Sequence, residues 1–306
     1  MSRGSLPRTS RRLLAAGAAA ACLIPLAACS SQDSSSGSAD GRVSVVASTN
    51  VWGSVAKEVA GSHADVTSVI SSPEQDPHDY EATAKDKLAF KKAKVAVVNG
   101  GGYDDWATTL AGQSDATLVD AVKTSGKKTG TDFNEHVFYS ISTARKVADK
   151  VASDLAKADP DHAADYRKNA KTFGTTMDRT LSDAKKVGQA HPGVSFVATE
   201  SVADYLLADM GLKDATPEAF VEQSETESGP SVKVVDRTTK LLTTKKAGLL
   251  IVNGQTSDSV TKTLQSAAKK ASVPSVGVTE TFPEGIDSYP AFLNATITAV
   301  SKALSA

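Results

Sequence analysis

His78 lies in a short segment that combines an imidazole with several carboxylates. The segment, residues 73–81, reads PEQDPHDYE, and its two prolines disfavour a helix. A neutral imidazole held in a loop is a good ligand for a first-row divalent metal. A histidine on a loop is also a common surface residue, so the metal interpretation depends on further side chains that could share the site.

Three further side chains could complete such a site. His136 lies in the segment NEHVF, just before a predicted helix, and Glu200 and Glu280 each follow a predicted strand. Two imidazoles and two carboxylates are a mixed set that both Zn²⁺ and Mn²⁺ accept, the imidazoles suiting Zn²⁺ and the oxygens suiting Mn²⁺. For either glutamate alone a solvated side chain is the alternative, and Glu200 could instead cap the helix that follows it.

Strands alternate with helices in both halves of the chain, which predicts mostly parallel sheets. The strands are predicted over residues 43–47, 66–70, 95–98 and 117–119 in the first half and 194–198, 248–252 and 275–278 in the second. Between the halves, residues 161–186 carry the apolar stripe of a long amphipathic helix. The predicted fold class is therefore α/β, with two lobes that are joined by one long spine helix, each lobe a mostly parallel sheet flanked by helices. Ligands of such sheets bind at the carboxyl ends of the strands, so the four candidates should face a cleft between the lobes.

One short pattern occurs once in each half. Residues 97–100 read VVNG and residues 251–254 read IVNG, and both stand where a predicted strand ends. Four matching positions are weak support for a duplication. They favour more strongly the interpretation that both sheets present a similar strand-to-loop turn on the side where ligands bind.

The N-terminal segment is typical of an export signal. Residues 1–28 carry four arginines and then an apolar stretch too short to span a bilayer comfortably, and they end in LAA before Cys29. This ending resembles a bacterial lipobox, so we expect cleavage before Cys29 and acylation of its thiol. Cleavage as an ordinary secretory signal is the alternative. Residues 29–41 are rich in Ser, Gly and Asp, which predicts a flexible tether.

The remaining composition limits the kinds of function. The only other cysteine, Cys22, lies in the signal, so the mature chain has no thiol ligand, no disulfide and no cysteine nucleophile. The chain has 34 basic and 35 acidic residues, and no basic patch suggests a nucleic-acid partner. We expect an N-terminal α/β lobe over residues 42–139, a helical linker with the spine helix over 140–190, and a C-terminal α/β lobe over 191–306.

Four segments together resemble the solute-binding lipoproteins of zinc and manganese ABC importers. They read QDPHDYE at residues 75–81, NEHVF at 134–138, TESVADY at 199–205 and TET at 279–281. The resemblance extends over residues 42–306 and implies the same two-lobed fold with one long connecting helix.

The resemblance also implies a function. His78, His136, Glu200 and Glu280 would bind one Zn²⁺ or Mn²⁺ ion in the cleft between the lobes, and the ion would pass to the transmembrane subunit of an ABC permease. Lipid on Cys29 would hold the protein at the outer side of the cell membrane. The resemblance implies no enzymatic activity.

Three features depart from the family pattern. Glu280 stands where most members carry the shorter Asp, so its reach and denticity are open. Ser140 and Ile141 replace an Asp-Pro pair behind His136, and the histidine-rich loop of many zinc-specific members is absent. The sequence therefore leaves the choice between Zn²⁺ and Mn²⁺ open.

Two other functions remain as alternatives. One is a host-surface adhesin, for which the sequence offers no distinguishing feature. The other is a metal-dependent hydrolase, which needs an open coordination position and a general base, a role that Glu135 or Asp79 could take. The remaining histidines, His63, His162 and His191, match no ligand motif, and we expect them on the surface.

Overall fold

Two parallel four-stranded sheets form the centres of the two lobes. In the first, the strands are β1 (Val43–Thr49), β2 (Ala64–Ile70), β3 (Val95–Val98) and β4 (Thr117–Asp120), in the order β2-β1-β3-β4. In the second, they are β5 (Ser195–Ala198), β6 (Lys213–Asp214), β7 (Leu249–Asn253) and β8 (Ser275–Val278), in the order β6-β5-β7-β8.

The computed structural model of the chain describes residues 41–130, 133–224, 228–256 and 258–306. These residues belong to one unit, Gly37–Ala306. The predicted signal, Cys29 and all but the last residue of the predicted tether lie outside them. None of the helices in the described part of the chain is both long enough and apolar enough to cross a bilayer.

Helices connect the strands and cover the sheets. They are α1 (Asn50–Ala60), α2 (Ala84–Lys92), α3 (Asp105–Gly112), α4 (Ala121–Ser125), α5 (Ile141–Ala158), α6 (Ala163–Ala190), α7 (Asp204–Asp209), α8 (Glu218–Ser224), α9 (Val232–Thr243), α10 (Ser259–Lys270) and α11 (Tyr289–Leu304). Two short 3-10 helices, Val137–Tyr139 and Pro160–His162, precede α5 and α6.

The apolar runs of the central strands follow from burial on both faces. Along β1, Val45 and Ala47 pack in the cluster that includes α1 and α5. Val46, between them, packs on the other face with Phe90 of α2 and Leu110 of α3. Successive side chains of a strand point to opposite faces, so a strand covered on both sides needs apolar residues at every position.

Helix α6 is the long connection between the lobes. Its buried side chains recur every three or four residues and lie on one face: Tyr166, Ala170, Phe173, Met177, Thr180 and Ala184. It contacts α1 and α5 on the first-lobe side and α7 and α11 on the second-lobe side. The predicted fold class is confirmed. The predicted lobe boundaries stay a prediction, and α5, which falls inside the predicted linker, packs against β3, β4 and α1.

Candidate metal centre

The candidate ligands lie beyond the carboxyl ends of strands in both sheets. His78 lies in the loop after β2, Glu200 lies two residues after β5, and Glu280 lies two residues after β8. His136 directly precedes the 3-10 helix Val137–Tyr139, which leads into α5. All the strands are parallel, so these ends meet on the same side of each sheet, as the alternation of strands and helices predicts.

Three of the four side chains converge. His78, His136 and Glu280 each offer one ligand atom, and these atoms all lie within 4.8 Å of one another. Oε2 of Glu280 lies 3.6 Å from Nε2 of His78 and 3.9 Å from Nε2 of His136. The three atoms come from loops of both lobes. They are the only such group of His, Cys, Asp and Glu within the described residues.

The centre is buried on one side and open on the other. Glu280 and His136 are 4% and 6% exposed, whereas the His78 side chain is 36% exposed. The two histidines and Glu200 line a cavity of about 490 Å³, together with three further carboxylates, those of Asp76, Asp79 and Glu135. A cavity with this lining attracts cations.

A hydrogen bond fixes the imidazole of His136. Its Nδ1 lies 2.9 Å from Oδ1 of Asn134, an acceptor, so Nδ1 carries the proton and Nε2 keeps its lone pair for a metal. The amide of Asn134 is held in turn, because its Nδ2 donates to the carbonyl of Ser201 at 2.7 Å. Burial, reinforced by neighbouring His78, lowers the pKa of His136 to about 3. The ring is therefore neutral, which is the state that binds a metal.

Glu280 presents one oxygen that accepts no hydrogen bond from the described residues. Its Oε1 accepts a hydrogen bond from Nδ2 of Asn253 at 2.8 Å, while its Oε2 is buried without a partner among the described residues. Burial raises the pKa of the Glu280 carboxyl to about 7, against the opposing effects of His78 and Asn253. A buried carboxylate oxygen without a partner is costly. A cation between this oxygen and the two imidazole nitrogens would remove that cost.

Glu200 lies beside the group but outside it. Its carboxylate accepts hydrogen bonds from Nδ2 of Asn253 at 2.7 Å and from the hydroxyl of Thr256. The side chain lines the same cavity as the two histidines. Its role as the fourth ligand stays a prediction.

The loop that carries His78 is held by hydrogen bonds from several elements. The backbone N–H of His78 donates to Oδ1 of Asp76 at 2.8 Å, and Nε1 of Trp106 on α3 donates to the carbonyl of Pro77 at 3.2 Å. From the second lobe, Nε2 of Gln255 donates to the carbonyl of Pro73 at 2.8 Å. A loop held in this way presents its imidazole in a preset position.

Two asparagines beneath the site were not among the predicted ligands, although the repeated Asn-Gly pattern contains both. Asn99 directly follows β3 and Asn253 ends β7, and both are fully buried. Asn99 accepts from Nε1 of Trp52 at 3.0 Å and donates to the carbonyl of Glu135 at 2.9 Å, which holds the segment that carries His136. Asn253 donates to both candidate glutamates. The pattern therefore marked residues that support the ligands.

Tyr103 forms part of the wall behind the histidines. Its ring lies edge-on to His78 and His136, with centroid distances of 4.7 and 5.8 Å. The hydroxyl is buried, and no hydrogen-bond partner meets the distance and angle criteria among the described residues. Burial, reinforced by the charge of Glu280, raises the Tyr103 pKa well above its usual value, so the phenol stays protonated.

The remaining histidines lie away from this group. His63 and His162 stack on each other with centroids 3.9 Å apart, and they contact Asp165 and Asp159 respectively. His191 directly follows α6 and is partly exposed.

Known proteins resemble the chain along most of its length. The family model described as "ZnuA: Zinc-uptake complex component A periplasmic" matches residues 45–303. The manganese ABC transporter substrate-binding lipoprotein scaA of Streptococcus gordonii is 25% identical over 267 residues, which cover 82% of this chain and 84% of that protein. The manganese-binding lipoprotein MntA of Bacillus subtilis is 26% identical over 256 residues, covering 80% and 82%.

A solved structure has the same fold. The laminin-binding protein Lmb of Streptococcus agalactiae, described as bifunctional with adhesin and metal-transporting activity, superposes with a TM-score of 0.72 at 21% identity. The match covers 86% of this chain and 99% of that one. At this identity the likeness concerns the fold alone.

Proposed function

Because the chain belongs to the family of periplasmic zinc-uptake complex components, we propose that it captures one Zn²⁺ or Mn²⁺ ion between its lobes and delivers it to the transmembrane permease of an ABC importer. Proteins of this family are solute-binding components of metal importers and are not enzymes. The hydrolase alternative is therefore wrong. The ion is cargo, which the protein must hold firmly and later release.

One observation carries the proposal. Oε2 of Glu280 is buried with no hydrogen-bond partner among the described residues, and it lies 3.6 and 3.9 Å from Nε2 of His78 and His136. A divalent ion with bonds of about 2.0–2.2 Å to each of the three atoms would satisfy all of them. Because the ligands come from both lobes, binding would also hold the lobes together.

Glu200 is the fourth ligand in this proposal. It lines the cavity in front of the two histidines, and, like Glu280, it follows the carboxyl end of a strand of the second sheet. To reach the ion its carboxylate would turn from Asn253 and Thr256, which it contacts in the structure. Four protein ligands would fill the four-coordinate shell of Zn²⁺ and leave no open position for an activated water, which suits capture and transport.

The ligand set is compatible with either ion. Two imidazoles favour Zn²⁺, while two carboxylates favour Mn²⁺ more than a set of three histidines would. The family description names zinc, whereas scaA and MntA are named for manganese. Competition titrations of the purified protein with both ions would decide the preference.

We further propose that lipid on Cys29 anchors the protein outside the cell membrane. The support is the sequence LAAC at residues 26–29 and the lipoprotein names of the relatives. Two acyl chains are needed for stable anchoring, since one chain binds a membrane only weakly. The tether would let the protein move between capture and the permease.

Metal loading tests the central proposal. The mature chain is incubated with Zn²⁺ or Mn²⁺, desalted and measured by elemental analysis, and we expect about one ion per chain. His78→Ala and His136→Ala should each lower the affinity by more than ~100-fold, because even the loss of an outer partner of a ligand costs about 10- to 100-fold. His63→Ala and His162→Ala are the matched controls and should bind normally. Absence of both ions from the desalted wild type would refute the proposal.

The adhesin alternative is a separate hypothesis. The name of Lmb concerns that protein, and the fold alone carries no adhesive function. A solid-phase assay of the mature chain on immobilised laminin would test it independently of metal binding.

A further inference from the structure

Asn253 lies between the two candidate carboxylates because of the strand order. It ends β7, which has β5 on one side and β8 on the other. Glu200 lies two residues after β5 and Glu280 two residues after β8. The carboxyl ends of these three parallel, neighbouring strands lie on the same side of the sheet. The side chain at the end of the middle strand therefore reaches both carboxylates.

The amide of Asn253 uses both of its N–H groups on these carboxylates. Nδ2 donates to Oε2 of Glu200 at 2.7 Å and to Oε1 of Glu280 at 2.8 Å. Its other end is fixed as well, since Oδ1 accepts from the backbone N–H of Gln255 and the backbone N–H of Asn253 donates to Oγ1 of Thr199, both at 3.1 Å. The residue is fully buried, so the amide cannot turn without losing bonds that water would not replace.

We propose that Asn253 is a positioning residue that makes Glu280 bind the ion through Oε2 alone and thereby favours Zn²⁺ over Mn²⁺. The inference rests on the proposed function, because it concerns the denticity of a ligand at the same centre. Oε1 is engaged by the amide, and Oε2 is the oxygen that faces the two imidazoles. Turning the carboxylate so that both oxygens meet the ion would break a hydrogen bond to a charged group in a buried site.

A single oxygen from Glu280 keeps the coordination number low. Structural Zn²⁺ sites are almost always four-coordinate, whereas Mn²⁺ prefers six ligands that are rich in oxygen. Asn253 also donates to Glu200, but Glu200 would give up this bond when it turns to the ion, so the restriction concerns Glu280. Without the amide donors, Glu280 could bind through both oxygens, and the shell would suit Mn²⁺ better.

The test removes the N–H donors of Asn253 and measures the coordination number of the bound metal ion. Asn253→Leu removes both N–H groups while nearly preserving the volume of the side chain. Wild type and variant are purified as mature chains and loaded with Co²⁺, whose visible absorption is intense in four-coordinate sites and weak in six-coordinate ones. In a separate experiment both are titrated with Zn²⁺ and Mn²⁺ against a competing chelator. Asn169→Leu is the matched control, since Asn169 on α6 donates its amide to the carbonyl of Val59 and contacts none of the candidate ligands.

We expect intense Co²⁺ bands in the wild type and in the control, and weakened bands in Asn253→Leu. Zn²⁺ affinity should fall by about 10- to 100-fold in the variant, the usual effect of removing a partner of a metal ligand, and Mn²⁺ affinity should fall by less. A merely structural role would weaken both ions alike and leave the Co²⁺ bands intense in the chains that remain loaded.

Three results would overturn the inference while the proposed function stands: a six-coordinate Co²⁺ spectrum in the wild type, an unchanged spectrum in the variant, or equal losses for both ions. Failure of the wild type to bind Zn²⁺ and Mn²⁺ would refute the proposed function and the inference together. If Asn253→Leu does not fold, Asn253→Ala removes the same donors without adding bulk or charge. It should weaken the Co²⁺ bands in the same way, and unchanged bands there would overturn the inference.

Discussion

Replacing Glu280 by Gln should stabilise the metal-free protein at alkaline pH while it abolishes tight metal binding. Glu280 is 4% exposed, and burial raises its pKa from 4.5 to about 7. An acid with a raised pKa in the folded state favours folding below the pKa of the unfolded state and loses that advantage as the pH rises through the folded pKa. The metal-free wild type should therefore lose stability between about pH 4.5 and 7, where Gln stays neutral.

The size of the effect follows from the pKa difference. A rise in the pKa of Glu280 from 4.5 to about 7 lowers the free energy of unfolding of the metal-free wild type relative to its fully protonated state. The loss is about 3 kcal/mol at pH 8 and about 1 kcal/mol at pH 5. Gln keeps an oxygen that can accept from Asn253, so the hydrogen bond at 2.8 Å can persist. It removes the negative charge and one ligand oxygen, so the affinity for a divalent ion should fall by more than ~100-fold.

The assay is urea denaturation of chelator-treated protein at both pH values, followed by metal titration. Glu284→Gln is the control, because Glu284 is exposed and lies four residues away in sequence. Glu284→Gln should have the same free energy of unfolding as the wild type at both pH values and the same metal affinity. Two results would refute the reasoning about the buried carboxyl. One is a difference in free energy of unfolding between wild type and Glu280→Gln that is the same at pH 5 and pH 8, and the other is a Glu280→Gln variant that is less stable than the wild type at pH 8.

Two further predictions concern the competition between protons and the metal ion, and the lipid anchor on Cys29. The metal affinity of the wild type should fall by up to about tenfold for each pH unit below about 7, because the proton on Glu280 competes with the ion, while His136, with a pKa of about 3, stays neutral over this range. Competition titrations between pH 5 and 8 measure this, and a flat profile would contradict it. Cys29→Ala should release the protein from membranes or leave it unprocessed, as cell fractionation would detect, with unchanged metal affinity in the soluble form. Loss of affinity there would show that anchor and site are not separate.

Local sequence patterns were enough to predict seven of the eight strands and the long helix. The predicted strands over residues 95–98 and 275–278 coincide with β3 and β8, and the long helix begins within two residues of its predicted start. Short apolar runs and an amphipathic stripe are local signals, and the packing of parallel strands and long helices depends on them directly. The exception is β6, which has two residues and is too short to show any periodicity.

The sequence by itself also identified His78, His136, Glu200 and Glu280 as candidate ligands, because each lies where a loop meets the end of an element. Only the tertiary structure decided which of them meet. Three converge, while the Glu200 carboxylate turns toward Asn253 and Thr256. The physical reason is that distances between loop side chains depend on how the two sheets are set against each other.

That arrangement depends on contacts between residues far apart in the chain. Tyr289 on α11 donates its backbone N–H to Ser54 on α1 and its hydroxyl to the carbonyl of Phe138, and Tyr139 donates to the carbonyl of Thr279 beside Glu280. Such contacts have no local signature in the sequence. The same holds for Asn253, whose two bonds to Glu200 and Glu280 arise only because β7 lies between β5 and β8 in the sheet.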